Sequence, residues 1–236
     1  MVRWINMARR TPLKFAERMD EMRKTHLSQD EKFWSPPPEM NPETEEILET
    51  HMPLMVPPQN NQSFDQSLEA VKTQPEMPHF QVSEGLCRAA QDHVADQFEN
   101  GGSGHLGDDA SNFRERCTRY GKSTGGLTEI LIHGIDDPLG IAIWIAWNNY
   151  ALQKNDRFAM FNPGLNFIGV ACGGHPEMGS TAVILIAEDY VTDPDKLSQR
   201  PTQFAARFAA ASKQGYVLRL GSSRATRSGK GCCVIV

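Results

Sequence analysis

His105 and Glu129 are the residues of this chain whose types and setting could do chemistry, because each stands in a glycine-rich stretch, GGSGHLG and TGGLTEILIHG, between two amphipathic segments. An imidazole binds metal ions or carries a proton near neutral pH, and a carboxylate can share either task. Either group also needs a hydrogen-bond, charge or metal partner once it is buried. The pair therefore makes a reactive site or a closed polar network. Other pairings carry less. Gly102-Ser-Gly104-His-Leu-Gly107 has the letters of a dinucleotide fingerprint, but it follows a helical segment, whereas that fingerprint must leave a strand. No G-x-S-x-G elbow occurs, and Ser103 beside His105 is too common a pairing to mark a dyad. Cys172 and His175 lie in a glycine-rich turn region, a weak setting for a thiol nucleophile. His133 reads as a turn residue.

The elements that must position His105 and Glu129 follow from periodicity. Residues 82–100, VSEGLCRAAQDHVADQFEN, read as a helix: Ser83 caps it, Leu86, Ala90, Val94 and Phe98 repeat at helical spacing, and Gly101 ends it. His93 sits beside that stripe as a packed residue. Residues 109–120 form a short helix with Phe113 and Cys117 inward and Arg114, Arg116 and Arg119 outward on a solvated face. In LTEILIHG, Glu129 falls within an apolar run, so it requires a partner. Residues 136–151 are helical and aromatic, with Trp144, Trp147 and Tyr150 near one another. FIGVACGG and STAVILIAEDYV read as two strands of a hairpin, residues 201–214 as a last helix, and YVLRL as a short strand.

Residues 1–80 contain no glycine and ten of the fifteen prolines. Proline favours extended backbone, so this composition describes either a stiff arm lying along a surface or a disordered tail, and the apolar residues it carries favour the arm. Short helices punctuate it at residues 11–26, from residue 41 through Ile47 and Leu48, and at residues 63–72. Trp4, Phe15, Trp34 and Leu54 are the apolar anchors with which such an arm would bind a partner.

Composition narrows the function classes. The 236 residues suit one domain plus an extension. A net charge of -5 lacks the basic excess that nucleic-acid binding needs. Five cysteines without a C-x-x-C pair fit a reducing compartment, and no secretory h-region or membrane-length apolar run occurs. These features predict a cytoplasmic protein that is not secreted. Cys232 and Cys233, in the ending CCVIV, approach a C-a-a-X lipidation signal, although valine is not a usual last residue.

An ordered series of residues carries a family resemblance: Leu86 with Ala89 and Ala90, Gly104-His105, Arg116 with Tyr120-Gly121, Glu129-Ile130, Arg157, Phe161-Asn162 and Ile168-Gly169-Val170. Together they resemble the CAP superfamily, the SCP-like domain of cysteine-rich secretory proteins, antigen 5 and pathogenesis-related proteins. The resemblance implies an α+β fold, a three-layer α-β-α sandwich with a cavity, in which two histidines and two glutamates can hold a divalent ion, usually zinc. His105 and Glu129 match the first histidine and glutamate. Arg157 sets the register of the second pair, which places Asp156 where the histidine should be and Lys154 near the glutamate. An ammonium group there repels a cation, so zinc and hydrolase chemistry are disfavoured and Lys154 is expected to pair with Glu129.

The expected organisation is an arm at 1–80, a CAP-like domain at 81–220 and a tail at 221–236. The expected function is a non-catalytic interaction module, without cofactor, held by its arm in a large protein assembly such as a cytoskeletal or axonemal filament. The alternative is a lipid- or sterol-binding CAP protein tethered to a membrane through Cys232 and Cys233.

Overall fold

The computed structural model describes residues 1–30, 32–35, 39–40, 47–49, 54–55, 64–147 and 156–199. The chain divides into two compact units, one of Met1–Asn6, Pro78–Ile141 and Asn162–Val236, the other of Met7–Met77 and Ala142–Phe161. Helix α1 (Val2–Arg10) begins in the first and continues into the second.

In the second unit, Pro12 starts α2 (Pro12–His26), in line with proline's fit to a first helical turn. Strand β1 (Phe33–Trp34) pairs with β4 (Leu54–Met55), and β2 (Glu39–Met40) pairs with β3 (Ile47–Glu49), both antiparallel. Ile47 and Leu48, expected on a helix, therefore lie on a strand, paired with the nearby β2. Helix α3 (Phe64–Lys72) follows. Trp34, Phe64, Trp144 and Trp147 form an aromatic cluster, with Trp147 5.2 Å from Phe64, 5.5 Å from Trp144 and 6.3 Å from Trp34 between ring centroids. Such tilted and edge-on pairs satisfy the ring quadrupoles as well as burying area. Trp34 and Phe15 are buried, which corrects their assignment as exposed anchors. The chain itself supplies their apolar surroundings. Residues expected to lie as an extended arm are instead part of a compact unit that also draws on residues 142–161.

The first unit is built on a four-stranded sheet, in the order β5 (Gln81–Val82), β8 (Phe167–His175), β9 (Gly179–Ala187) and β7 (Leu127–His133). Strands β8, β9 and β7 are antiparallel neighbours, and β5 joins β8 in parallel. Helix α4 (Glu84–Asn100) lies on one face. Ser83 accepts a hydrogen bond from the Leu86 amide, and Gly101 closes the helix in the left-handed region at φ 68°. Leu86, Ala90 and Val94 pack with Leu127, Ala171, Val183 and Leu185. Gly169 and Gly173 let the helix approach β8: a Cβ at Gly169 would lie 2.2 Å from the Leu86 carbonyl carbon, and one at Gly173 2.4 Å from Val94 Cγ1. The alternate residues Ile130, Ile132, Ile168, Val170, Ile184 and Ile186 are buried too, so both faces of the sheet are covered.

The remaining elements are short. They are α5 (Phe113–Thr118), β6 (Gly121–Lys122) paired with β10 (Val191–Thr192), α6 (Pro138–Trp147), α7 (Asp156–Met160) and α8 (Pro194–Gln199), the last not anticipated from sequence. The helix expected at 201–214, the YVLRL strand and Tyr150 lie outside the described residues.

Candidate functional site

Strand β7 places Glu129 on the face that α4 covers, in register with Leu185 of β9 and, through it, Gly169 of β8. Its side chain has no exposed surface, so its charge must be met inside the protein. His105, on the glycine-rich loop after α4, does so with Nδ1 at 3.0 Å from Glu129 Oε1. The two residues singled out from the sequence are thus brought together.

The dominant partner is Arg116 of α5. One guanidinium nitrogen donates to Glu129 Oε1 at 2.9 Å and Oε2 at 2.7 Å, and to the His105 carbonyl at 3.1 Å; the other donates to the Ser111 carbonyl at 2.6 Å. Arg116 is itself buried, which corrects its placement on a solvated face. Helix α5 turns it inward: Asn112 and Glu115 form a capping box that fixes where the helix starts. Among the described residues Arg116 is the cation that balances Glu129, the role expected of Lys154. Lys154 lies outside the described residues, and Asp156 opens α7 in the other compact unit.

Behind this pair lies a polar network that the sequence reading missed. Gln97 accepts from His133 at 3.0 Å and from Thr181 at 2.8 Å, and donates to the Gly104 carbonyl at 3.1 Å. His93 lies 2.9 Å from that carbonyl through Nε2, and His175 Nε2 lies 3.0 Å from the Gly102 carbonyl. His133 is the end of β7 and not a turn residue. The available signal was spacing: His93 and Gln97 are one helical turn apart, and both point to the same loop. Burial holds His93 below the ordinary imidazole range, with the Arg116 charge adding to it. His133 is lowered to about 4, by burial first and then by His175, His93 and His105.

Burial raises Cys87 and takes Cys117 up to about 12, and His175 spends both ring nitrogens on backbone groups, so it is no base for Cys172. Trp4 is half-buried beneath the Arg3 guanidinium, Leu54 lies on β4, and Cys232 and Cys233 fall outside the described residues.

A profile of the cysteine-rich secretory protein family, CAP, matches residues 66–187, more than half of the chain. The chain belongs to the CAP family. The match begins before the resemblance traced from residue 82 and takes in most of α3. An outer surface protein of Borrelia burgdorferi is a similar solved structure, at 19% identity and a TM-score of 0.38, over 47% of this chain and 78% of that one. A search of curated proteins gives no match. CAP membership fits the α+β architecture described above and the three-layer α-β-α sandwich expected of it. Among the described residues no group of three or more histidine, cysteine, aspartate or glutamate side chains is arranged to hold a metal ion.

Proposed function

We propose that this chain is a non-catalytic CAP domain that serves as an interaction module in a large cytoplasmic protein assembly, a cytoskeletal lattice being the kind it suits. The observation that carries the reading is the engagement of both Glu129 oxygens by Arg116, at 2.9 and 2.7 Å, in a site with no exposed carboxylate surface. A general base must offer a lone pair to its substrate, and a metal ligand must offer one to the ion. Here a buried guanidinium holds those lone pairs, and a divalent ion added to the same carboxylate would meet that positive charge. The CAP ion therefore does not fit these residues.

Among the described residues no helix is long and apolar enough to cross a membrane. The apolar side chains offered to a partner are Leu13 and Phe33, both exposed on the second unit, rather than the buried Phe15 and Trp34. Deleting residues 1–75 would remove part of a compact unit, so substitution is the better test. Leu13→Asp with Phe33→Asp, expressed in place of the wild type, is expected to leave the circular dichroism spectrum unchanged and to move the protein from the sedimenting cytoskeletal fraction to the supernatant. Unchanged sedimentation of the folded variant would refute this binding surface.

A further inference from the structure

Three histidines support the loop that carries His105. His93 and His175 each reach a loop carbonyl, Gly104 at 2.9 Å and Gly102 at 3.0 Å, while His133 braces Gln97, which donates to Gly104. Every one of these links requires the ring proton on Nε2. On His175 the other nitrogen accepts from the amides of Glu177 and Met178, both at 3.2 Å. On His93 the other nitrogen is a buried lone pair with no hydrogen-bond partner, 3.8 Å from Asp96 Oδ2. The His133 and His175 rings stand edge to face, 5.2 Å apart. The charged and titratable groups around the cluster are Asp96 on α4, Arg116 on α5, Glu129 on β7 and His105 on the loop.

We propose that residues 101–111 form a proton-released latch, which disengages from α4 and β8 when this histidine cluster is protonated. A proton on His175 Nδ1 would turn an acceptor into a donor facing two amide N–H groups. A proton on His93 Nδ1 would draw the Asp96 carboxylate away from the Asp108 amide, which it now accepts at 3.1 Å. Two imidazolium rings at the His133–His175 separation repel each other. Burial and the neighbouring histidines keep His133 neutral at physiological pH, so the latch is closed there. Release would take with it His105, which covers Glu129, and Leu106, whose side chain is already exposed. Charge change at histidine is the usual trigger for such acid-driven movements.

Hydrogen exchange of the full chain, followed by mass spectrometry and corrected for the intrinsic pH dependence of exchange, tests the latch. Between about pH 7.5 and about pH 4, a window that reaches the lowered His133 value, protection of the peptide spanning Gly107, Asp108 and Ser111 is expected to fall about ten-fold while β9 stays protected. In His133→Gln, which keeps a donor for Gln97 and cannot be charged, the fall should be smaller, because the repulsion between His133 and His175 is gone. Histidine ring-proton titration by NMR on the wild type supplies the second readout: loop amide shifts should follow the histidine curve. Equal loop protection at both pH values, simultaneous loss from loop and β9, an unaltered fall in the variant, or loop amides that ignore the histidine titration would each overturn the proposal.

Discussion

A carboxylate with no exposed side-chain surface, as at Glu129, is stable only where a compensating charge meets it, and Arg116 meets it through both oxygens while tying down the Ser111 and His105 carbonyls. Arg116→Met would strip the partner and leave that charge buried, at a cost of about 3–5 kcal/mol. The added change Glu129→Leu should recover most of the loss, because an apolar pair can replace a buried ion pair. Urea denaturation of the two variants measures both effects, and additive losses would show that the pair is not coupled. His105 is more than half exposed, so His105→Ala should cost less than about 1 kcal/mol. Its importance is to cover Glu129, not to stabilise the fold.

At the scale of elements, α4 was legible in the sequence because its determinants are local: Ser83, Gly101 and the stripe Leu86–Ala90–Val94 all lie within its own turns. Strands β8 and β9 were legible as continuous apolar runs, the pattern of a sheet buried on both faces. Arg116 was not, because a charged residue on a short helix reads as solvated until β7 brings a carboxylate against it. Phe15 and Trp34 were misread for a similar reason; nothing near Trp34 in the chain announces Trp144 and Trp147. The seating of α4 on β8 makes a further prediction. Gly169→Ala forces a Cβ into the Leu86 backbone and should cost roughly 1–3 kcal/mol by overpacking, or more if the helix cannot shift. Asn112→Ala, which removes the capping box that aims Arg116, should cost about 0.5–2 kcal/mol. Thermal unfolding reads both.

For the whole molecule, the histidine cluster makes stability depend on pH with a definite sign. His93 and His133 are lowered in the folded state, His133 from 6.5 to about 4, so the unfolded chain binds more protons between those values. Their contribution is complete above the ordinary histidine value and is lost as pH falls through it toward 4. His133 is only half-buried, so its share is about 1–2 kcal/mol after solvent screening. The melting temperature should therefore drop between neutral pH and pH of about 4.5, and less so in His133→Gln. Asp109, lowered to about 2 by its hydrogen bonds to Ser111, gives the same sign in a lower window, below its ordinary value of 3.8. The central claim concerns Glu129, both of whose oxygens are engaged by Arg116. Calorimetric titration of the full chain with zinc at neutral pH tests it most directly. No stoichiometric binding is predicted for the wild type. Binding at micromolar or tighter affinity that disappears in both His105→Ala and Glu129→Gln would contradict the account.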